Sequence, residues 1–361
     1  MGAFQLLPDS KVPSHAAIDE SVELTRAAVG DEVTPFVNAV LRKVAGVAGS
    51  IKEVLPTGDS MSALSVLHSQ PEWLISLLLR DYGLSNTRDL LSAFEKRLRL
   101  SVRANTMRVT KDGFFRMLRE EGVQFERSEL IDDCYLFLDD LDARQFSPLL
   151  RGDCYVQNES SAIVVELLSP MPSLRILDLC AAPGGKTAAM ALATGEPGNV
   201  TAIDVDRDRV SLLKDNLDRL GLGKVQTDVA DGTVIDGDYD LVLVDAPCSG
   251  LGTLAKHPEI KYTQSLGNIK KLAELQLRLL DRASRLVKPS GALVYSVCTI
   301  TSRETTGVAA SFLADHSNFV LEVPERFRYH RFVAHDGMLR VPPGGNNLEG
   351  MFAFRARRVS E

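Results

Sequence analysis

The chain has 361 residues, 45% of them hydrophobic and 25% charged, which excludes disordered and fibrous classes. It exceeds what one core usually organises, so two or three domains are expected, and a net charge of −7 weighs against indiscriminate polyanion binding. No apolar stretch is long enough to cross a bilayer, Met1–Ser10 lacks the layout of a secretory signal, and five cysteines without a CxxC pair fit reduced thiols, so a cytoplasmic protein with no membrane partner and no metal is expected.

The amino end reads as helical. Ala16–Ala28 and Pro35–Val47 carry apolar positions at three- and four-residue spacing, with Val37, Val40, Leu41 and Val44 marking one face of the second, and should pack as antiparallel neighbours. Further helices are predicted over Ser60–Leu67 and over Pro71–Tyr82, with Pro71 in the first turn. Gly2–Leu7 is already apolar, so this piece reads as part of a larger bundle. The first domain is set at 1–85.

A second domain, 86–150, mixes strand and helix: strands at Leu100–Val102 and Tyr135–Leu138 flank an amphipathic helix at Lys111–Glu121. Lys96, Arg97, Arg99, Arg103, Arg108 and Lys111 form a basic window without an acid, either a solvated face or a surface that tracks phosphates.

The third domain, 151–361, has the strongest pattern. Strands LRILDL, NVTAIDV, KVQTDVA, YDLVLVDAP and GALVYSVC alternate with helices near Thr187–Thr194, Arg207–Leu220, Asn268–Val287 and Arg303–Ala314, as in a parallel sheet covered on both faces. Phe319–Val323 and Gly350–Arg357 should close the sheet, the last as an antiparallel strand. Ligands of such sheets bind beyond the carboxyl ends of the strands, where Asp178, Asp204, Asp231, Asp245 and Cys298 fall.

The turn Cys180-Ala181-Ala182-Pro183-Gly184-Gly185-Lys186-Thr187 follows the first strand and opens a helix. It fits neither the triphosphatase loop, which needs a glycine where Cys180 stands, nor the GxGxxG dinucleotide fingerprint. Two glycines for close backbone approach, a helix amino end that favours an anion, and Asp204 placed for a ribose diol suit a nucleoside with an anionic tail, a shape S-adenosylmethionine has.

Asp245 and Cys248 share the DAPC turn, and Cys298 ends the next strand. Cys134, Cys154 and Cys180 read as structural thiols, whereas two cysteines at neighbouring strand ends, one beside a carboxylate, suit covalent catalysis. Carbon 5 of cytosine is a poor nucleophile until a thiolate adds to carbon 6; a carboxyl group such as Asp245 controls charge at ring nitrogen 3, and a second acid–base group must then help remove the carbon 5 proton. Lys186 or the helix amino end is expected to lower a thiol pKa.

These segments, ILDLCAAPGGKT, VTAIDVD, VADGT, VDAPCSGLGTLAKHPEIK and VYSVCT, together resemble the RsmB/Sun family of RNA cytosine-5 methyltransferases over about Tyr155 to Thr305. In the amino half, VPSHAAIDESVELTRA, PFVNAVLRKVAG and QPEWLISLLLRDYGL are similar to the second half of a NusB-like helical domain, and Arg103 and Asn105 in VRANTMRVT match the start of a small RNA-binding linker domain. The resemblance implies a Rossmann-like α/β methyltransferase domain preceded by a partial NusB-like segment and an α+β linker. It implies Cys298 as the nucleophile, Cys248 as the thiol that assists release, Cys180 to Lys186 as the cofactor loop, Asp204 as the ribose ligand, and Asp231 and Asp245 as further cofactor-site or cytosine-site carboxylates. Lys186 is expected to reach the reacting centre. S-adenosylmethionine is the implied cofactor and an unstacked cytosine of 16S rRNA the implied substrate, with no DNA partner.

Departures stand out. Val297, Thr299, Glu304 and Thr305 occupy the places where the family reads TCS followed by Glu-Asn, Val297 removing a hydroxyl near the thiol; VPPGGNNLEGMF replaces LPH and DGFF-like segments. Relatives carry further helices before the point where Met1 falls, so either a translation start upstream of Met1 or a trimmed bundle is expected. Competing readings are a transfer RNA cytosine-5 methyltransferase and a noncatalytic RNA-binding or ribosome assembly protein that keeps the fold; Cys248 in place of a DPPY-like segment argues against an adenine enzyme.

Overall fold

The structure, a computed structural model, describes residues 2–7, 10–50, 55–139, 141–142 and 144–359; Met1, on which the expectation of a trimmed start rests, lies outside them. The chain divides into two compact units, Met1–Gln70 and Pro71–Glu361. Among the described residues no helix is long and apolar enough to cross a membrane.

In the first unit, helices Gly2–Gln5, Ser14–Ala28 and Thr34–Val47 gather Leu6, Ala17, Ile18 and Leu41 into a small core, with Val22, Val37 and Val44 against it. Val40, predicted on the buried face, is exposed, because the stripe that packs is only as wide as Val37, Leu41 and Val44. Ser60 caps the next helix, Met61–Leu67, rather than opening it: its hydroxyl accepts from the Ala63 N–H at 3.1 Å.

The second unit begins with helix Glu72–Phe94, broken at Gly83 (φ 71°, ψ 174°), next to the predicted end at Tyr82; Pro71 is the residue before the helix rather than in its first turn. This helix packs on the later part of its own unit: the Tyr82 hydroxyl donates to the Ile300 carbonyl, and the Asp81 carboxylate accepts from the Ser302 N–H at 2.9 Å.

Next comes a four-stranded antiparallel sheet made of β1 (Ser101–Ala104), β2 (Phe125–Arg127), β3 (Cys134–Phe137) and β4 (Cys154–Val156), in the order β2-β3-β1-β4. Helix Lys111–Glu120 lays Phe114 and Leu118 against Val102, Tyr135 and Phe137. β4 lies beyond the boundary set at 150, since Val102 pairs with Val156 and keeps that strand in the small sheet. Within the basic window Arg103 is not a phosphate-facing group: it forms a two-bonded ion pair with Asp133 (3.1 and 2.8 Å), and its side chain is 16% exposed. The wholly buried Asn105 amide donates to the carbonyls of Gly152 (2.9 Å) and Leu220 (2.8 Å), tying the small sheet to the large one.

The large sheet contains β5 (Ile176–Asp178), β6 (Val200–Asp204), β7 (Gln226–Val229), β8 (Tyr239–Asp245), β9 (Val287–Val297), β10 (Phe319–Leu321), β11 (Leu339–Val341) and β12 (Met351–Arg358). Its order is β10-β12-β9-β8-β5-β6-β7, with β11 paired to β12. β5 to β9 are parallel and β10 to β12 antiparallel. Alternate residues enter two apolar layers: Leu241, Leu243, Ala292 and Val294 on one face, Val242, Val244, Leu293, Tyr295 and Val297 on the other. β7 departs from the apolar pattern because it is the sheet edge, with Gln226, Asp228 and Val229 exposed. The connection reverses at β5, which has β6 on one side and β8 on the other, so a crevice opens above their carboxyl ends.

Candidate active site

Asp178, Asp204 and Asp245 are the last residues of β5, β6 and β8, and Cys298 directly follows β9. The Cys180–Lys186 turn crosses the crevice and enters helix Gly185–Thr194 through Gly184, whose φ of 105° a side chain would strain. A cavity of about 530 Å³ opens there, lined by the whole turn together with Asp178, Asp245, Gln157 and Glu349. That volume is in the range of small-molecule sites.

Around the turn each carboxylate has its own partners. Asp204, with 2% of its side chain exposed, accepts from the Ala182 N–H (3.3 Å) and from Arg209 (3.3 Å). Asp178 is wholly buried; one oxygen accepts from the Thr187 hydroxyl (2.7 Å), the other has no partner, and burial pushes its pKa up to about 7. Gln157, which the sequence did not single out, donates to the Gly185 carbonyl (2.9 Å) and accepts from Arg103 (2.9 Å), so the ion-paired arginine props the turn. Asp231 stands apart: it lies in the loop after β7, exposed, its carboxylate accepting from the Thr233 N–H and hydroxyl (both 2.8 Å), and those bonds lower its pKa.

Behind the turn the two thiols meet. Cys248 Sγ and Cys298 Sγ are 3.4 Å apart and both partly exposed, while Cys134 and Cys154 are buried and far up in pKa through desolvation. Asp245 Oδ2 accepts from Lys186 Nζ (2.7 Å) and Oδ1 from the Ser296 hydroxyl (2.6 Å). Burial alone would lower the Lys186 pKa, but the charge and hydrogen bond of Asp245 outweigh it and hold the ammonium. The expectation that Lys186 lowers the pKa of a thiol needs correction at Cys248. That thiol is pushed up, first by its hydrogen bond to Cys298 and then by burial, while the charge of Lys186 interacts with Cys298. Val297, expected near the thiol, faces the opposite apolar layer with Val242 and Tyr295, whereas Cys298 packs on the layer of Leu243 and Val294. Position 297 therefore faces the layer on which Cys248 packs, not the one on which Cys298 packs.

With this geometry in place, the family described as 16S rRNA methyltransferase RsmB/F matches residues 165–356. The chain belongs to the RsmB/F methyltransferase family. The RsmF/B ferredoxin-like domain matches residues 70–141, and the NusB family residues 1–46. The chain is 31% identical over 99% of its length to 81% of the probable ribosomal RNA small subunit methyltransferase B of Bacillus subtilis (strain 168). It is 30% identical over 100% of its length to 81% of the ribosomal RNA small subunit methyltransferase B of Shewanella oneidensis. Its fold matches the crystal structure of PH0851 with a TM-score of 0.83 and 27% identity, covering 99% of this chain and 80% of that one. As a member of this family the protein is an S-adenosylmethionine-dependent RNA methyltransferase with a Rossmann-like catalytic fold. The residues present fit that cofactor: a glycine turn at a helix amino end and Asp178, with an unpartnered oxygen, line the cavity, and the Asp204 carboxylate bonds the turn from the end of β6.

Proposed function

We propose that the protein transfers a methyl group to carbon 5 of a cytosine in 16S rRNA through a covalent Cys298–cytosine adduct. The observation that carries this reading is the pair of sulfurs 3.4 Å apart beside the Lys186–Asp245 pair, at the switch point of a methyltransferase sheet. Bound S-adenosylmethionine supplies an electrophilic methyl. The Cys180–Lys186 turn and Asp204 would hold it, Asp204 through the ribose.

The Cys298 thiolate adds to carbon 6 of the base. As the sulfur–carbon 6 bond forms, the ring electrons move toward carbon 5 and nitrogen 3, and Asp245 holds the Lys186 ammonium that offsets the negative charge at nitrogen 3. Carbon 5 then takes the methyl while the sulfonium–methyl bond breaks. Cys248, having first given its own proton to solvent, takes the carbon 5 proton as its thiolate, and the sulfur–carbon 6 electron pair returns to Cys298, restoring the ring and freeing the product. The base reaches this pocket only when unstacked, so single-stranded or loop RNA is the substrate form.

The test is methyl transfer from labelled S-adenosylmethionine to unmodified 16S rRNA and to transfer RNA, with wild type, Cys298→Ala and Cys248→Ala side by side. The expected product is 5-methylcytosine in rRNA, absent with Cys298→Ala, and a denaturation-resistant protein–RNA adduct with Cys248→Ala. Label only in transfer RNA overturns the substrate and keeps the mechanism; cofactor binding without transfer to either RNA overturns the reading in favour of an assembly protein.

A further inference from the structure

Glu304 has an unusual environment for an acid. Its side chain belongs to the loop after β9, is wholly buried, and has no ion-pair partner among the described residues. Five donors converge on it instead: Oε1 accepts from the Ser249 N–H (2.8 Å) and Gln276 (3.2 Å), and Oε2 from the hydroxyls of Ser249 (2.5 Å), Thr301 (2.9 Å) and Thr299 (3.3 Å). A buried carboxylate is tolerated where its lone pairs are filled, and a group that only accepts is the one that can join this many donors.

Those donors are not scattered. Ser249 is the residue after Cys248 and Thr299 the residue after Cys298, and their hydroxyls also bond each other at 2.7 Å. Gln276, from helix Leu266–Leu286, adds a second strut by donating to the Pro247 carbonyl at 2.9 Å. The carbonyl of Glu304 accepts from the Tyr295 hydroxyl (2.7 Å), fixing the acid to β9 itself. The residues that follow both sulfurs thus bond this one carboxylate, in addition to bonding each other.

We propose that Glu304 is a positioning residue for the release half of the reaction, clamping the Cys248 turn onto the Cys298 loop so that the second sulfur stands at the adduct. This rests on the two-thiol reading above. Substrate addition needs only Cys298, Asp245 and Lys186, none of which bonds Glu304, whereas proton removal from carbon 5 needs Cys248 within reach. The charge of Glu304 also acts on Cys248 and disfavours its thiolate, which makes that sulfur the more basic of the pair once it has lost its proton.

The experiment compares wild type, Cys248→Ala, Glu304→Gln and Ser249→Ala in the same 16S rRNA assay, reading three quantities: the first-turnover methyl transfer rate, the multiple-turnover rate, and the fraction of enzyme in a denaturation-resistant RNA adduct. For Glu304→Gln, multiple turnover is expected to fall by about 100-fold, the scale that a misplaced reacting group produces, with the first turnover falling less than about tenfold. Adduct should accumulate as in Cys248→Ala. Ser249→Ala removes one hydroxyl and keeps the Ser249 N–H bond, so it should shift the same partition more weakly and remains informative if the Glu304 variant does not fold. Equal losses in first and later turnovers without adduct, in both variants, overturn the positioning role and leave Glu304 a packing residue. If Cys248→Ala itself accumulates no adduct while the wild type is active, the two-thiol reading fails instead, and the two failures are told apart.

Discussion

Gly252 is where the nucleophile's loop is held by backbone alone. A Cβ placed there would stand 2.2 Å from the Gly350 carbonyl oxygen, 2.8 Å from its carbon and 3.0 Å from the Cys298 carbonyl oxygen. All three are main-chain atoms, so no side chain can swing aside, and Gly252→Ala must part the segments of this seam by roughly 1 Å. Two bonds cross it: Gly252 N–H to the Cys298 carbonyl (3.0 Å) and Gly350 N–H to the Gly252 carbonyl (2.8 Å). Leaving each buried partner unmade costs about 1–3 kcal/mol, so the substitution should destabilise the protein by about 2–6 kcal/mol. Because Cys298 moves with its carbonyl, the first-turnover rate should also fall on the order of 100-fold. Urea unfolding at unchanged m-value measures the first quantity, and single-turnover methyl transfer the second. A variant within about 0.5 kcal/mol of wild type, the range of an ordinary surface change, with an unchanged rate, would refute the idea that a rigid seam sets the nucleophile.

Three further outcomes follow from the charges. The folded pKa of Asp178, about 7, lies above its ordinary value of 3.8, so its contribution to stability is fullest below pH 3.8 and is lost as pH rises through 7; relative to Asp178→Asn, wild type should lose about 3 kcal/mol between pH 4.5 and 8 in urea titrations, and parallel curves would contradict this. Lys186→Met leaves the carboxylate of Asp245 without its cation and should cost about 3–5 kcal/mol, with Asp245→Asn added to it recovering part. Since the Lys186 pKa is raised above 10.5, the contribution of its charge is present throughout the range below that value and is lost only as pH climbs past the folded pKa, so the cost should be flat between pH 6 and 9. Arg103→Met should lower the unfolding midpoint through the loss of the Asp133 pair and leave the salt dependence of RNA binding unchanged; a shallower salt slope would make Arg103 a phosphate contact after all.

Much of this protein is legible along the chain because its signals are local. Strand–helix alternation, the glycine turn and the order of DAPC before VCT depend only on neighbouring residues, and they place Asp178, Asp204, Asp245 and Cys298 at strand ends, where the sheet carries them. What the chain alone could not show is which partners these groups acquire. Arg103 reads as one cation in a basic run, and only the pairing of β1 with β3 and β4 turns it toward Asp133 and Gln157. Val297 reads as a lost hydroxyl beside a thiol until the two-residue period of β9 puts it on the opposite face. Glu304 reads as part of the helix predicted near Arg303–Ala314, whereas the helix starts at Thr306 and donors as distant in sequence as Ser249 and Gln276 meet on the acid in the loop before it. Local sequence therefore determined the elements and the kind of chemistry, while the tertiary structure decided the distances and charges between groups, because hydrogen bonds and desolvation depend on which atoms are brought within a few ångströms and away from water.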